Sequence, residues 1–571
     1  MPFLSQSNVE IPTTDLTTWF FHDNPEISDV NNPIFIDTEE PSRYYTHSTA
    51  QNTIRKLVAG LRAHGLRKGE CVCVHSFNDI DYPILVNGII AAGGIWAGTN
   101  PSYTANEIAH AIKIARIAFF VVEPELLQNV VAAADQVGLA RNRIFTFDHV
   151  PGHKATAGFE SWRNLMEHGE QDWEAFDDGQ KSKNTTVARC FSSGTTGLPK
   201  AAVLSHYNFI AQHCIVNVTK KDYEEKRIVP LPLYHMASIP SSHFSALRDG
   251  VKTFIMRRFE LRGYLRNIQK YQITELLLVP PMVMAIINNT HLLNDPNYSL
   301  DSIRNGIGGA APLRKEPQQK LKALLRKKTP WAQIWAMTET TCFATMFPYP
   351  LDDDTGSVGY PLSGIDLKLV DEEGNDISKP DTPGELCIRG PTVIRGYLDA
   401  SVPFDSDNPG REKLLRSDWD ADGFFHTGDI AHVKGPDAGE DAGKWYIVDR
   451  KKELIKVRGF QVAPPELEGV LISHPLIQDA AVIGIEMREN GVETGTELPR
   501  AYIVRTSDNL AAEDVKTYLA SKLAKYKRLD GGVVFVDQVP RNPSGKILKR
   551  ILRERAAKEI KEEENRINAK L

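Results

Sequence analysis

The ten residues Phe191-Ser-Ser-Gly-Thr-Thr-Gly-Leu-Pro-Lys200 carry the clearest chemical signature in the chain. Two glycines let backbone N–H groups approach phosphate oxygens, and Ser192, Ser193, Thr195 and Thr196 add hydroxyl donors. Lys200 adds a positive charge, and the apolar run before the loop reads as the strand that presents it. This is not a Walker A loop. Counted from Gly194, the place of the second Walker glycine is held by Pro199, and Lys200 is followed by Ala201 where a Mg²⁺-binding Ser or Thr would stand. A second loop, Asp418-x-Asp420-x-Asp422-Gly423 closed by Asp429, has calcium-loop spacing apart from Asp for the usual final Glu. Such a loop needs helices on both sides. Residues 430–433 and 445–448 read as strands, so calcium is not expected.

Further stretches of matching chemical character follow in order. They are Pro232-Leu-Tyr-His-Met236, Gly308-Gly-Ala-Ala-Pro312, Trp335-Ala-Met-Thr-Glu339, Gly384-Glu-Leu-Cys-Ile-Arg-Gly390, His426-Thr-Gly-Asp429, Asp449-Arg-Lys-Lys-Glu-Leu-Ile-Lys456, Arg458-Gly-Phe-Gln-Val462 and Pro543-Ser-Gly-Lys546. With the Ser/Gly/Thr loop, these residues resemble the adenylate-forming (AMP-binding) acyl-CoA synthetase family, in the branch of coumarate–CoA ligase and luciferase. The resemblance runs from Ser192 to Lys546, most of the chain.

What the resemblance implies is an ATP-dependent acyl-CoA ligase. A carboxylate attacks the α-phosphorus of ATP to give an acyl-adenylate and diphosphate, and the coenzyme A thiol then displaces AMP. By similarity Ser192, Ser193, Gly194, Thr195, Thr196, Gly197 and Lys200 cradle the β,γ-phosphates, Thr338 contacts the α-phosphate and Glu339 holds Mg²⁺. Gly309 and Ala310 present backbone to the adenine, with Trp335 stacking on it. Asp429 takes the ribose hydroxyls with help from Arg450, and Lys546 meets the carboxylate and bridging oxygen. Fixed cations and donors suit this chemistry, because the pentavalent phosphorus spreads negative charge over its oxygens. The family also implies a C-terminal domain that turns about Lys452 between the two steps. That motion withdraws Lys546 and brings Lys456, Arg458 and Gly459 to the thiol, with Arg258 and neighbouring Arg257 toward the nucleotide end of CoA.

His235 matches the position that gates the carboxylate end of the acyl pocket. Ala336 stands where coumarate ligases commonly carry glycine, and Ala237 where they tend to carry an aromatic residue. The expected substrate is therefore an aryl, arylalkyl or medium-chain acid rather than coumarate itself. A carrier protein in place of CoA, a luciferase-type oxygenation and a non-catalytic adenylate-binding scaffold are the alternatives. The last is disfavoured because Glu339, Asp429 and Lys546 are all present.

The elements that must position these groups read as α/β. Residues 48–64 have helical periodicity, with Ile54, Leu57, Val58 and Leu61 on one face. Residues 71–76 and 118–122 read as buried strands, and residues 85–97 as a packed helix closed by Gly98. The alternation implies a largely parallel sheet as far as about residue 346. Residues 356–448 are short, β-rich and cut by Gly/Pro turns, which suggests a small antiparallel unit. A compact α+β pattern follows. The expected organisation is a catalytic body over residues 1–450 and a mobile cap over 451–571.

Composition agrees with a globular enzyme. The 571 residues carry 67 Lys and Arg against 73 Asp and Glu, a net charge of −6 that offers no basic stripe for nucleic acid. Six cysteines without a C-x-x-C pair are no disulfide framework, so a reducing compartment is expected. No signal peptide or membrane span is expected from the apolar stretches. The terminal Ala569-Lys570-Leu571 is a conservative variant of the S-K-L address, so a peroxisomal import receptor is the expected partner and the peroxisome the expected location, with the cytoplasm as alternative.

Overall fold

A computed structural model describes the chain apart from residues 1, 6–8, 23, 25, 150–155, 193–198, 311–312, 314, 327–328, 403–411, 458–459, 490–491, 524, 542–544 and 569–571, and without the side chains of 452, 456, 460–461, 488–489, 492–496 and 563–568.

The body is built on two mixed sheets. In the nine-stranded sheet, Cys71–His75 lies between Ile95–Gly98 and Ile117–Val122, all parallel. Cys71–His75 is buried at every position, which is why it reads as an unbroken apolar run rather than an alternating one. Helix His47–Ala63 packs over this sheet with Ile54, Leu57, Val58 and Leu61 buried, and its start is fixed by a capping box between Thr46 and Thr49. It lies so close to helix Asp81–Ala91 that a Cβ on Gly88 would fall 2.6 Å from Leu57 Cδ1.

The expectation of one helix over 85–97 is corrected here. The helix ends at Ala91, Gly93 takes a left-handed φ of +87°, and Ile95–Gly98 is a strand paired to Cys71–His75. Helix and strand are both fully buried, so their apolar residues merge into one run, and only the Gly93-Gly94 turn separates them.

The seven-stranded sheet has Asn305–Gly308 between Glu275–Leu278 and Trp331–Gln333, again parallel. Gly306 and Gly308 admit the Trp331 ring, since added Cβ atoms would lie 2.4 Å and 3.0 Å from it. The β-rich region contains the expected antiparallel unit, four strands in the order Asp366–Val370, Gly384–Arg389, Phe425–Val433 and Trp445–Arg450. Beyond it, helices Pro464–Ile472 and Ala512–Ala520 cover the sheet of Ile477–Glu489, Val492–Arg505 and Val533–Phe535. This part has its own core, with Leu467, Leu471, Val482, Ile503, Val515 and Leu519 buried together. All six cysteines are free. No helix among the described residues is long and apolar enough to cross a membrane.

Candidate active site

The Ser/Gly/Thr loop joins two neighbouring strands of the nine-stranded sheet, Thr186–Ser192 and Lys200–Ser205, whose last pair in register is Ser192 with Lys200. The pairing fixes both ends of the loop. Ser193, Gly194, Thr195, Thr196 and Gly197 lie outside the described residues. Ser192 Oγ donates to Glu339 Oε1 at 2.5 Å, so the end of the loop touches the carboxylate expected to hold the metal. Lys200 Nζ pairs with Asp418 Oδ2 at 3.2 Å and sits 4.7 Å from the centroid of the Tyr397 ring.

Tyr397 itself was not foreseen. Its strand pairs beside Lys200–Ser205, and its hydroxyl donates to the same Glu339 Oε1 at 2.7 Å. A tyrosine after Arg-Gly carries no pattern of its own, and only the strand pairing reveals it. Glu339 is buried, and Ile394 N donates to its backbone carbonyl at 2.9 Å. It sits in the tight turn Thr338–Thr340, which gives way to Thr341 at φ +55° and Cys342 at φ +98°. Left-handed backbone in a β-branched residue is strained, and such strain concentrates at functional sites. The Thr338 hydroxyl has no hydrogen bond within the described residues and remains available to a ligand.

The residues present fit a Mg²⁺ ion. Both hydroxyl donors use Glu339 Oε1, which leaves Oε2 as a hard oxygen ligand. The described residues contain no cluster of three or more metal-ligating side chains, so substrate phosphates and water would supply the other ligands.

The nucleotide end is a compact polar triad. Asp429 and Arg450 are directly opposed on the antiparallel strands Phe425–Val433 and Trp445–Arg450, where cross-strand neighbours of opposite charge meet. Arg450 Nε lies 3.2 Å from Asp429 Oδ1, and Trp335 Nε1 donates to Asp429 Oδ2 at 2.8 Å. An ionised carboxylate has about four acceptor positions, so both oxygens can still receive hydroxyls. Asp420 and Asp422, counted in the calcium spacing, are drawn instead to Lys368, while Asp418 goes to Lys200. Gly309 follows strand Asn305–Gly308 and is packed under Ile334, since an added Cβ would stand 2.7 Å from Ile334 Cδ1. Ala310 is exposed with φ +71°.

At the other end, His235 closes a turn in which its N–H donates to Pro232 O at 3.0 Å. The Ala237 N–H donates to His235 Nδ1 at 3.3 Å, so the ring proton resides on Nε2. Burial and then the positive charge of Lys546 hold the imidazole pKa down at about 4, so the ring is neutral near pH 7. Lys546, near the end of the chain, therefore faces His235 of the body. It is carried on a turn closed by the bridge Arg541↔Ile547, with Arg541 Nη1 donating to Gly545 O at 2.9 Å. Gly545 meets the body itself, because an added Cβ would lie 2.5 Å from Pro281 Cγ.

The structure separates the two arginines proposed for CoA. Arg257 is committed to Glu123 and Glu125 at 2.5 and 2.7 Å. Arg258 is exposed, with its guanidinium 4.4 Å above the Phe77 ring. The side chains of Lys452 and Lys456, and all of Arg458 and Gly459, lie outside what is described.

The comparisons with known proteins bear on the family. Residues 26–398 match the model of the AMP-binding enzyme family, and residues 466–546 that of the AMP-binding enzyme C-terminal domain. The phenylacetyl-CoA ligase epaB of Aspergillus niger is 46% identical over 97% of this chain and 99% of its own. The acyl-CoA ligase azaF, from another strain of that fungus, is 46% identical over 97% and 100%. Of solved structures, ATP-bound MatB from Rhodopseudomonas palustris is 25% identical over 95% of this chain and 98% of its own, with a TM-score of 0.76; the apo form of MatB gives 0.65. By these matches and its two family domains, the chain belongs to the AMP-binding enzyme family, as an acyl-CoA ligase.

Proposed function

We propose that the protein activates an arylalkyl carboxylic acid of the phenylacetate kind, using ATP, and transfers it to coenzyme A. The observation that carries this reading is the seating of Gly545 against Pro281 of the body, which brings the charge of neighbouring Lys546 to bear on His235. The substrate class is supported by the relative described as a phenylacetyl-CoA ligase and by the small, half-buried Ala237 and Ala336 near the acyl end.

In the first step a carboxylate oxygen bonds to the α-phosphorus, the bond to the β-phosphate oxygen breaks, and diphosphate leaves with the electron pair. Asp429, Arg450 and Trp335 hold the ribose end. The loop from Ser192 to Lys200 takes the β,γ-phosphates, and Thr338 offers its hydroxyl to the α-phosphate. Lys546 places its cation by the attacking carboxylate and the bridging oxygen, and neutral His235 turns its Nε2–H toward the acyl end. Mg²⁺, held by Glu339, would neutralise phosphate charge. In the second step the thiol sulfur bonds to the acyl carbon and loses its proton, while the C–O bond to AMP breaks. Lys456, Arg458, Gly459 and Arg258 are the proposed contacts for CoA, reached by rotation about Lys452.

A panel of carboxylic acids assayed for AMP release with and without CoA tests this. CoA-dependent release is expected to be greatest with phenylacetate-like acids. Release indifferent to CoA across the panel would overturn the reading. The peroxisome is proposed on Ala569-Lys570-Leu571 alone, and uniform cytosolic fluorescence of an N-terminally tagged protein would refute it.

A further inference from the structure

The seven-stranded sheet has a cavity at the end of its strands away from the candidate active site. Arg304 immediately precedes strand Asn305–Gly308, and Thr329 and Pro330 precede Trp331–Gln333, so the same strands that lead into Gly309 and Trp335 begin here. Four residues of strand separate the two ends by about 13 Å. The cavity has a volume of about 690 Å³, within the range of small-molecule sites, and its walls include Asp222, Tyr223, Arg304, Arg326 and Tyr349.

The aromatic walls are fixed. Tyr223 donates to Glu275 Oε1 at 2.5 Å, and Glu275 Oε2 is held by Lys221 at 2.7 Å and Asn305 Nδ2 at 3.0 Å. The Tyr349 hydroxyl lies near the Asp222 carboxylate, and the two phenol rings meet edge to face with centroids 6.1 Å apart. The charges are unequal. Neighbouring Lys221 and Arg227 are matched by Glu225 and Glu275. Arg304, half-buried, and Arg326, exposed, have no side-chain hydrogen bond or ion pair with any described residue. The one carboxylate in the wall, Asp222, lies by Tyr349 and is in no ion pair with either arginine among the described residues.

We propose that this cavity is a binding site for a small aromatic phosphate. Two guanidinium forks without carboxylate partners suit the oxygens of a phosphate, which they can engage bidentately. Two immobilised phenol rings supply faces and edges for an aromatic ring. The site rests on none of the residues of the acyl-CoA ligase reading and stands or falls apart from it.

The probes are phenyl phosphate and inorganic phosphate, titrated calorimetrically into the full chain. The adenylate site is first blocked with an acyl-sulfamoyl adenosine, which carries no phosphate. Saturable binding of phenyl phosphate is expected, about tenfold or more tighter than inorganic phosphate, and weakened about tenfold by Arg304→Ser or Arg326→Ser with diphosphate exchange unchanged. Arg304→Lys, which keeps the charge and removes the fork, should give an intermediate loss, so the test survives a failure of the serine variant to fold. Absence of saturable binding, equal affinity for the two probes, or affinity indifferent to both arginines would each overturn the proposal.

Discussion

The nucleotide and acyl ends of the candidate site are built differently. Around Asp429 and Glu339 every described partner belongs to the body. Trp335 and Arg450 hold one carboxylate, Ser192 and Tyr397 the other, and Asp429 and Arg450 share a strand register. At the acyl end the pairing is between parts, with His235 on the body and Lys546 on the C-terminal domain, beside the close packing of Gly545 on Pro281. A site held within one part can receive its ligand without waiting for the other. A site shared with a separately packed domain can be taken apart when its step is done, as the proposed rotation requires.

The division predicts unequal consequences. Lys546→Ala should depress acid-dependent diphosphate exchange about a thousandfold while largely sparing thioester formation from a supplied acyl-adenylate. Equal losses in the two assays would erase the distinction. Glu339→Gln keeps an acceptor for Ser192 and Tyr397 but removes the charge, and it should lower adenylation about a hundredfold. Its Mg²⁺ titration should shift to higher concentration, whereas an unshifted titration would remove Glu339 from the metal. Tyr397→Phe deletes one of two donors to the same oxygen, a change worth about 1 kcal/mol, so a fall of about fivefold in kcat with the KM for the acid unchanged is expected.

The last effect falls on stability rather than on rate and concerns how the C-terminal domain sits. Asp449 is buried with Oδ2 lacking a hydrogen bond, and burial, opposed by Lys549 and aided by Glu468 and Glu453, raises its pKa to about 6. A carboxyl whose pKa is raised favours the folded arrangement when protonated. The associated stability is therefore present at acid pH and is lost as pH rises from the ordinary carboxyl value through about 6, up to about 3 kcal/mol. Asp449→Asn should raise Tm by a few degrees at pH 8 and leave it unaltered at pH 4, as read by calorimetry. The same rise at both pH values would remove the titration from the explanation.

Much of this was legible in the chain itself. The loop from Ser192 to Lys200 declares itself by residue type, and helix His47–Ala63 by its periodicity. Pairing Arg450 with Asp429 needed only the resemblance, and the strand register supplies its geometry. Other features were hidden for physical reasons. Strand Ile95–Gly98 is as apolar as the helix before it, so periodicity alone merged them. Arg257 and Arg258 look alike until Glu123 and Glu125 claim the first. Tyr397 reaches Glu339 only because its strand lies beside Lys200–Ser205, a long-range pairing that no local pattern records.

The most direct test fixes the shared end. A Cβ at position 545 would lie 3.7 Å from Pro281 Cβ, close to the separation a disulfide spans. In the double variant Pro281→Cys, Gly545→Cys, the oxidised protein should retain diphosphate exchange but form no acyl-CoA, and a reductant should restore ligation. Undiminished acyl-CoA formation by protein verified as cross-linked would contradict a reaction divided between one fixed end and one that must come apart.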